Sequence, residues 1–370
     1  MPDFPIALLS FGFLSSIWPP ALMLGGLIFL HELGHFLVAK RMGMPVEVFS
    51  LGFGTRLIGF KWRETDVRLS LLPLGGYVKL AGFNPEEPGA EDPHGFLKQP
   101  VWKRQLFYGG GIIANLIVAF VLLWAIGVDS ARVVKAEARP GSAMIVDQVL
   151  KGQPAETAGL RPGDELKRIG SVAFPSGTWE EAVAFIQSHA GQAVPVEVAR
   201  DGKVVELSVT PKDEGGKGKI GLAPIPAEFD VQKRAFQAGD LWTGARFSVA
   251  TMAGMTKNVF GFLGQLVTFK AHAADVAGPI GIMRISAQAA KIGWATFLSM
   301  MALISLELAI FNLLPIPMLD GGHMAVLAYE RFRGRELTME FKEKLFTGGF
   351  LLIASLMAVV IFMDVWKLRK

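Results

Sequence analysis

Three stretches of this chain carry no charged side chain over lengths that could cross a membrane: Phe4 to Leu30, Leu106 to Val128 and Leu345 to Met363. A fourth, Ala295 to Leu319, is interrupted only by Glu307. A helix needs roughly 20 apolar residues to cross a hydrocarbon core about 30 Å thick, and inside that core every backbone N–H and C=O must find its partner within the protein. Helices meet that demand residue by residue, so a polytopic α-helical membrane protein with four transmembrane helices is expected. Composition agrees, since 51% of the residues are hydrophobic and the mean hydropathy is +0.39, high values for a soluble domain. The first stretch lacks the basic start of a cleaved signal and continues into the most reactive motif of the chain. It is therefore read as a retained span, with Trp18, Pro19 and Pro20 marking an irregular start.

That motif is His31-Glu32-Leu-Gly-His35. Positions i and i+4 share a helix face, so His31 and His35 can grip one Zn²⁺ while Glu32 acts as general base in peptide hydrolysis. The chain contains no cysteine, which excludes disulfides and thiolate ligands and leaves zinc to histidine and carboxylate. A third ligand is needed, and the best candidate lies far along the sequence in Asn312-Leu-Leu-Pro-Ile-Pro-Met-Leu-Asp320-Gly-Gly-His323. A carboxylate at the end of an apolar stretch is costly unless it meets a partner such as a metal. Pro315 and Pro317 would break the third span so that Asp320 turns inward.

The formal net charge of +4 and pI near 9.2 invite a nucleic-acid reading, but the distribution of charge opposes it. Lys40, Arg41, Arg56, Lys61, Arg63, Arg68, Lys79, Lys103 and Arg104 lie between the first two spans, and Arg331, Arg333, Arg335, Lys342 and Lys344 between the last two. Basic residues close to spans mark cytoplasmic loops. Both motif halves then fall on the cytoplasmic side and the central region faces outward. The closing Lys367, Arg369 and Lys370 run against the rule.

Four regions are expected: 1–128 with two spans and a β-rich loop, 129–227 as an inserted α+β domain, 228–294 as a membrane-surface helix and connector, and 295–370 with the last two spans. In the first loop, Val46 to Phe53, Arg56 to Trp62, Thr65 to Leu71 and Tyr77 to Leu80 read as short strands, with a turn at Pro73 to Gly76. A small membrane-associated sheet beside the metal would offer a substrate backbone an edge to pair with. The insert shows strand-like runs at Met144 to Val149, Val194 to Arg200 and Val204 to Thr210, a helix at Trp179 to His189, and a solvated linker or hairpin tip at Lys212 to Lys219. With its Gly159-Leu-Arg-Pro-Gly-Asp164 turn, that order resembles a PDZ domain, which binds peptides by strand addition. Asp240 to Lys270 reads as an amphipathic helix, since a fifth span would separate Asp320 from His31.

Taken together, these motifs resemble the site-2 protease family of intramembrane zinc metalloproteases, in particular RseP-like bacterial members with a single PDZ domain. The resemblance is carried by HELGH, by Pro73-Leu-Gly75-Gly76-Tyr-Val-Lys-Leu80, by Gly111 and Asn115 spaced as G-x-x-x-N, by Ala277 to Ile282, and by Asn312 to His323. It implies zinc held by His31, His35 and Asp320, Glu32 as base, and a substrate site that includes Asn312, with Pro315, Gly75 and Gly76 beside it. It also implies a bacterial inner-membrane enzyme with a periplasmic PDZ-like domain that binds a peptide or protein ligand. Its partners would be the lipid bilayer and single-span membrane proteins already trimmed outside, such as an anti-sigma factor or remnant signal peptides. Ile112 stands where the family commonly has proline. The alternative is a non-catalytic membrane adaptor that uses its PDZ-like domain as a tether.

The remaining polar residues have simpler readings. His94, His189 and His272 are surface groups, and His323 is a group that could orient Asp320. Asn115 hydrogen-bonds between helices in preference to acting on substrate, and Glu307 is a neutral or snorkelling carboxyl in preference to a gate or substrate contact.

Overall fold

The protein is described by a computed structural model covering residues 18–84, 86, 90–139, 141–200, 202–268, 270 and 278–368. The first seventeen residues of the chain, which include the start of the expected opening span, and His272 lie outside the described residues. The chain divides into two compact units, one of residues 1–131 and 237–370 and one of residues 132–236.

Among the described residues of the first unit, four helices are long and apolar enough to cross a membrane: α1 (Trp18–Arg41), α2 (Val101–Ala131), α7 (Trp294–Leu313) and α9 (Met339–Leu368). The same unit also contains α5 (Gly239–Val267), α6 (Pro279–Ile292) and α8 (Asp320–Arg333). Within the described residues the first span has a π-helical turn at Ala21–Gly25 after Pro19 and Pro20, and it carries HELGH within the helix. The third span ends earlier than expected, at Leu313, and Asp320 opens the separate helix α8. Pro315 and Pro317 explain the break, because neither can donate a helical hydrogen bond.

Helix α2 is the hub, packed by α1, α5, α7 and α8. Its crossing with α1 is set by two glycines: a Cβ on Gly34 would stand 2.3 Å from the Gly110 carbonyl oxygen, so the backbones touch. The helix expected over Asp240 to Lys270 is α5, which packs along α2. Gly127 faces Gly244, and Ser248 Oγ donates to the Phe120 carbonyl at 2.9 Å. Ala119, Leu123, Val259, Ala302, Leu306 and Ile310 form a core among α2, α5 and α7. Helix α9 is fastened near its ends. Lys342 meets Glu330 at 2.7 Å, Phe346 stacks on His323, and Asp364 accepts from the backbone N–H groups of Gly278 and Gly281. Between those points it turns Leu351, Leu352, Leu356 and Phe362 outward, as a lipid-facing span does.

The loop after α1 forms β1 (Val46–Trp62) and β2 (Thr65–Leu80), each continuous but sharply bent. Their register resolves the four short runs read from sequence: residues 56–62 pair with 65–70, residues 66–69 also pair with 48–51, and 46–51 pair with 76–80. The outer segments are therefore 56–62 and 76–80. Gly52 and Gly54, at φ 92° and 85°, make the bend in β1. Leu57, Ile58, Phe60, Leu71 and Leu72 are exposed on this hairpin.

In the second unit the order β11 (Leu222–Pro226), β4 (Met144–Val149), β5 (Glu165–Ile169), β7 (Val194–Arg200), β8 (Lys203–Val209) makes an antiparallel sheet, with β6 (Val172–Ala173) beside β5. β3 (Val133–Ala138) pairs with β12 (Phe229–Lys233), and β9 (Lys212–Asp213) with β10 (Gly218–Lys219). The short α3 (Pro154–Thr157) and α4 (Trp179–Ser188) complete it; Thr178 and Glu181 form a reciprocal cap on α4. Val146, Leu166, Ile169, Ala182, Ile186, Val196 and Val198 fill the core. Asp164 of the expected turn is buried and held by Arg200 through two bonds of 2.7 Å.

Candidate metal centre

His31 and His35 project from one face of α1 because they are one turn apart, and the Gly34–Gly110 contact brings that face against α2. His31 Nε2 lies 3.2 Å from His35 Nε2, and Asp320 Oδ2 lies 3.3 Å from each. A nearly equilateral triangle of that size is the face of a tetrahedron whose centre is about 2.0 Å from each corner, the distance at which zinc binds nitrogen and carboxylate oxygen. Asp320 Oδ2 is buried and, despite its neighbours, makes no well-formed hydrogen bond. These three residues are also a group whose ligand atoms are close enough to hold a metal ion. The donor set therefore fits zinc. Burial opposes charge on Asp320, but the two imidazoles beside it prevail and hold its carboxyl down to about 2, the ionised form a ligand requires.

The outer nitrogens of the imidazoles are also engaged. His35 Nδ1 lies 2.7 Å from the Phe107 carbonyl, and His31 Nδ1 lies 3.1 Å from the Asn115 amide. Both partners are on α2. Gly111, between them, presses on the rings: a Cβ there would stand 2.4 Å from His35 Nε2 and 2.5 Å from His31 Cε1. The G-x-x-x-N spacing thus combines clearance at Gly111 with a polar contact at Asn115. The Asn115 backbone carbonyl accepts in addition from Ser305 Oγ at 2.8 Å, which ties α2 to α7.

A cleft of about 310 Å³ opens on the triangle, lined among others by Glu32, Gly76, Tyr77, Asn312 and Met318. Glu32 is positioned by the sheet, because a Cβ on Gly76 would lie 2.8 Å from Glu32 Cγ. Gly76, Tyr77 and Val78 bring the 76–80 edge to the cleft, and Asn312, at the end of α7, lines it too. Gly75 instead faces the Phe53 ring, and Pro315 lines a separate cavity of about 740 Å³ with Tyr329 and Arg333.

Asp320 reaches the triangle through a tight turn. Met318 adopts φ 80°, a left-handed conformation that costs a non-glycine residue on the order of 1 kcal/mol. Gly321 and Gly322 follow because a Cβ at either would lie within 2.4 Å of carbonyl oxygens in the preceding turn. One turn into α8, His323 is sandwiched between Tyr108 and Phe346, with ring centroids 4.6 and 4.2 Å away. Burial lowers its pKa to about 4, so it stays neutral. Tyr77 and Met318 lie inside the motifs quoted above and Tyr108 outside them, but nothing local marks any of the three for the cleft, because tertiary approach brings them there.

The description of peptidase family M50 matches residues 20–356 of the chain. The chain is 31% identical to a protein of Clostridium acetobutylicum named as a zinc metalloprotease, covering 93% of this chain and 95% of that one. A Nostoc protein so named is 34% identical over 90% of this chain and 91% of its own length. A chloroplast protein of Arabidopsis thaliana named as a membrane metalloprotease is 30% identical over 97% of this chain and 81% of its own. With a matching family description across most of its length and four helices able to cross a bilayer, this chain belongs to peptidase family M50, the site-2 protease family of zinc-dependent membrane metalloproteases.

Proposed function

We propose that the protein cleaves single-span membrane proteins within or near the bilayer, after their outer portions have been trimmed, with His31, His35 and Asp320 holding zinc and Glu32 as general base. The observation that carries this reading is the triangle of 3.2 and 3.3 Å edges, in a cleft shared by Glu32, Asn312 and a sheet edge. A transmembrane helix hides its scissile carbonyl in its own hydrogen bonds, so the enzyme must extend it first. The 76–80 segment pairs with β1, and its residues 76–78 line the cleft, so it can receive the extended substrate as an added strand. Asn312 also lines the cleft, and its amide can hydrogen-bond the same backbone.

Zinc, when bound, supplies Lewis-acid activation of water and carbonyl. Glu32 takes the proton from the attacking water as its oxygen bonds to the scissile carbon. It then delivers that proton to the departing amide nitrogen as the C–N bond breaks. The placement of basic residues supports an active site near the cytoplasmic side of a bacterial inner membrane, with residues 132–236 in the periplasm. The strand order and α4 of that unit support a PDZ-like domain that sorts substrates by a bound peptide. Substrates of this kind include membrane-anchored regulators such as an anti-sigma factor and remnant signal peptides.

The test is Glu32→Gln in the full chain, assayed for zinc content and for cleavage of a model single-span substrate. The variant should keep zinc and lose cleavage; full activity overturns the reading. Reporter fusions within residues 132–236 and near Arg333 should give periplasmic and cytoplasmic signals respectively.

A further inference from the structure

The zinc-site reading leaves one polar contact with the wrong chemistry. Asn115 is completely buried on α2, its amide nitrogen Nδ2 lies 3.1 Å from His31 Nδ1, and its Oδ1 has no hydrogen-bond partner. His31 Nε2 faces His35 and Asp320, so a metal bound there leaves Nδ1 as the protonated nitrogen of the neutral ring. Nδ1–H is a donor, and an amide NH₂ is a donor as well. Side-chain amide oxygen and nitrogen are assigned from the network they join, and here the network decides for a rotation of 180°.

We infer that Asn115 is a positioning residue whose Oδ1 accepts the Nδ1–H of His31 and so fixes that imidazole as an Nε2 metal ligand. The inference rests on the metal-site reading above and adds the residue that selects the tautomer. His35 gives the internal comparison. Its Nδ1 lies 2.7 Å from the Phe107 carbonyl, a group that can only accept, so both imidazoles are oriented by acceptors on α2. Asn115 is itself restrained, because its backbone carbonyl accepts from Ser305 Oγ on α7. Hydrogen bonding to the outer nitrogen raises ligand basicity and fixes ring orientation, and loss of such a partner typically costs 10- to 100-fold in metal affinity.

The test measures zinc affinity of the full-length protein by competition with a chelator, together with the visible spectrum of the Co²⁺ form. The variants are Asn115→Leu, Asn115→Asp and His31→Ala. Asn115→Leu removes the acceptor at similar volume and should weaken zinc by about 10- to 100-fold and alter the Co²⁺ spectrum. Asn115→Asp keeps an acceptor, loses both amide donors, and should stay within about threefold of the original. If Asn115→Leu does not fold, Asn115→Ala carries the comparison. Unchanged affinity in the acceptor-free variant overturns the inference. So does an equal loss in Asn115→Asp, which would mark a donor or packing role. If His31→Ala also keeps full affinity, the metal-site reading fails and the inference falls with it.

Discussion

Gly111→Ala should abolish tight zinc binding while leaving the helices folded. The added Cβ would stand 2.4 Å from His35 Nε2, 2.5 Å from His31 Cε1 and 2.8 Å from His31 Nδ1. Ordinary contact needs about 3.5 Å, so the rings would have to retreat by about 1 Å. They cannot move alone. His35 is tied to Phe107, His31 to Asn115, and α1 already touches α2 at Gly34 and Gly110. Metal ligands tolerate roughly 0.2 Å, and a 1 Å displacement of reacting groups costs on the order of 100-fold, so affinity should fall by at least that factor. Gly109→Ala is the control, with nothing within 4 Å of its Cβ on the same helix; it should keep zinc and gain about 0.5–1 kcal/mol of helix stability. The assay is metal content after chelator competition, beside thermal unfolding of the purified proteins. Undiminished zinc affinity in Gly111→Ala would falsify the steric account of the G-x-x-x-N spacing.

Gly76→Ala should keep zinc but lower kcat by roughly 10- to 100-fold, because its Cβ would press on Glu32 Cγ; an unchanged kcat refutes that contact. The pH dependence of stability should include a step from His323. Its folded pKa of about 4 lies below the ordinary 6.5, so the unfolded chain binds more protons between those values. Stability is full above pH 6.5 and falls by on the order of 3 kcal/mol as pH drops toward 4. His323→Phe keeps a ring between Tyr108 and Phe346 and should flatten the dependence of the unfolding midpoint on pH between 7 and 5. Arg200→Met strands the buried Asp164 carboxylate and should destabilise residues 132–236 by about 3–5 kcal/mol, read as faster proteolysis of that unit with zinc content retained.

Much of this arrangement is legible in the sequence because it follows from local rules. Apolar length announces the spans, the spacing of His31 and His35 announces a shared helix face, and strand-like runs announce β4, β7 and β8. Asp320 can be found because a carboxylate after an apolar run needs a reason. Pro315 and Pro317 announce the break before Asp320, but not where the helix stops: apolar length carries the expected span through residue 319, whereas it ends at Leu313. The four short runs of the first loop are strand in the structure, but their order in the sheet is not accessible from sequence, since the flanking of 46–51 by both halves of β2 depends on bends at both ends. The pressure of Gly76 on Glu32 and the sandwich around His323 join residues more than forty positions apart along the chain with one exception, Phe346, and no periodicity encodes them. Gly75 and Gly76 read as a pair in sequence, yet only Gly76 reaches the cleft, because alternate residues of a strand face opposite sides.

The packing of α5 against α2 also decides what may be spliced into this chain. Residues 132–236 leave the first unit after Ala131 and return at Gln237, and the two helices that bound this excursion are bound to each other. Trp124 Nε1 donates to the Leu241 carbonyl at 2.9 Å, and Gly244 closes on Gly127. The ends of the insertion are thus clasped by the helices themselves, and doubling the length of the chain between them adds only about 0.6 kcal/mol of loop-closure entropy. Domains of other sizes, or several in series, can occupy this position while His31, His35 and Asp320 keep their spacing. The fold separates the part that evolution can exchange from the part it must hold still.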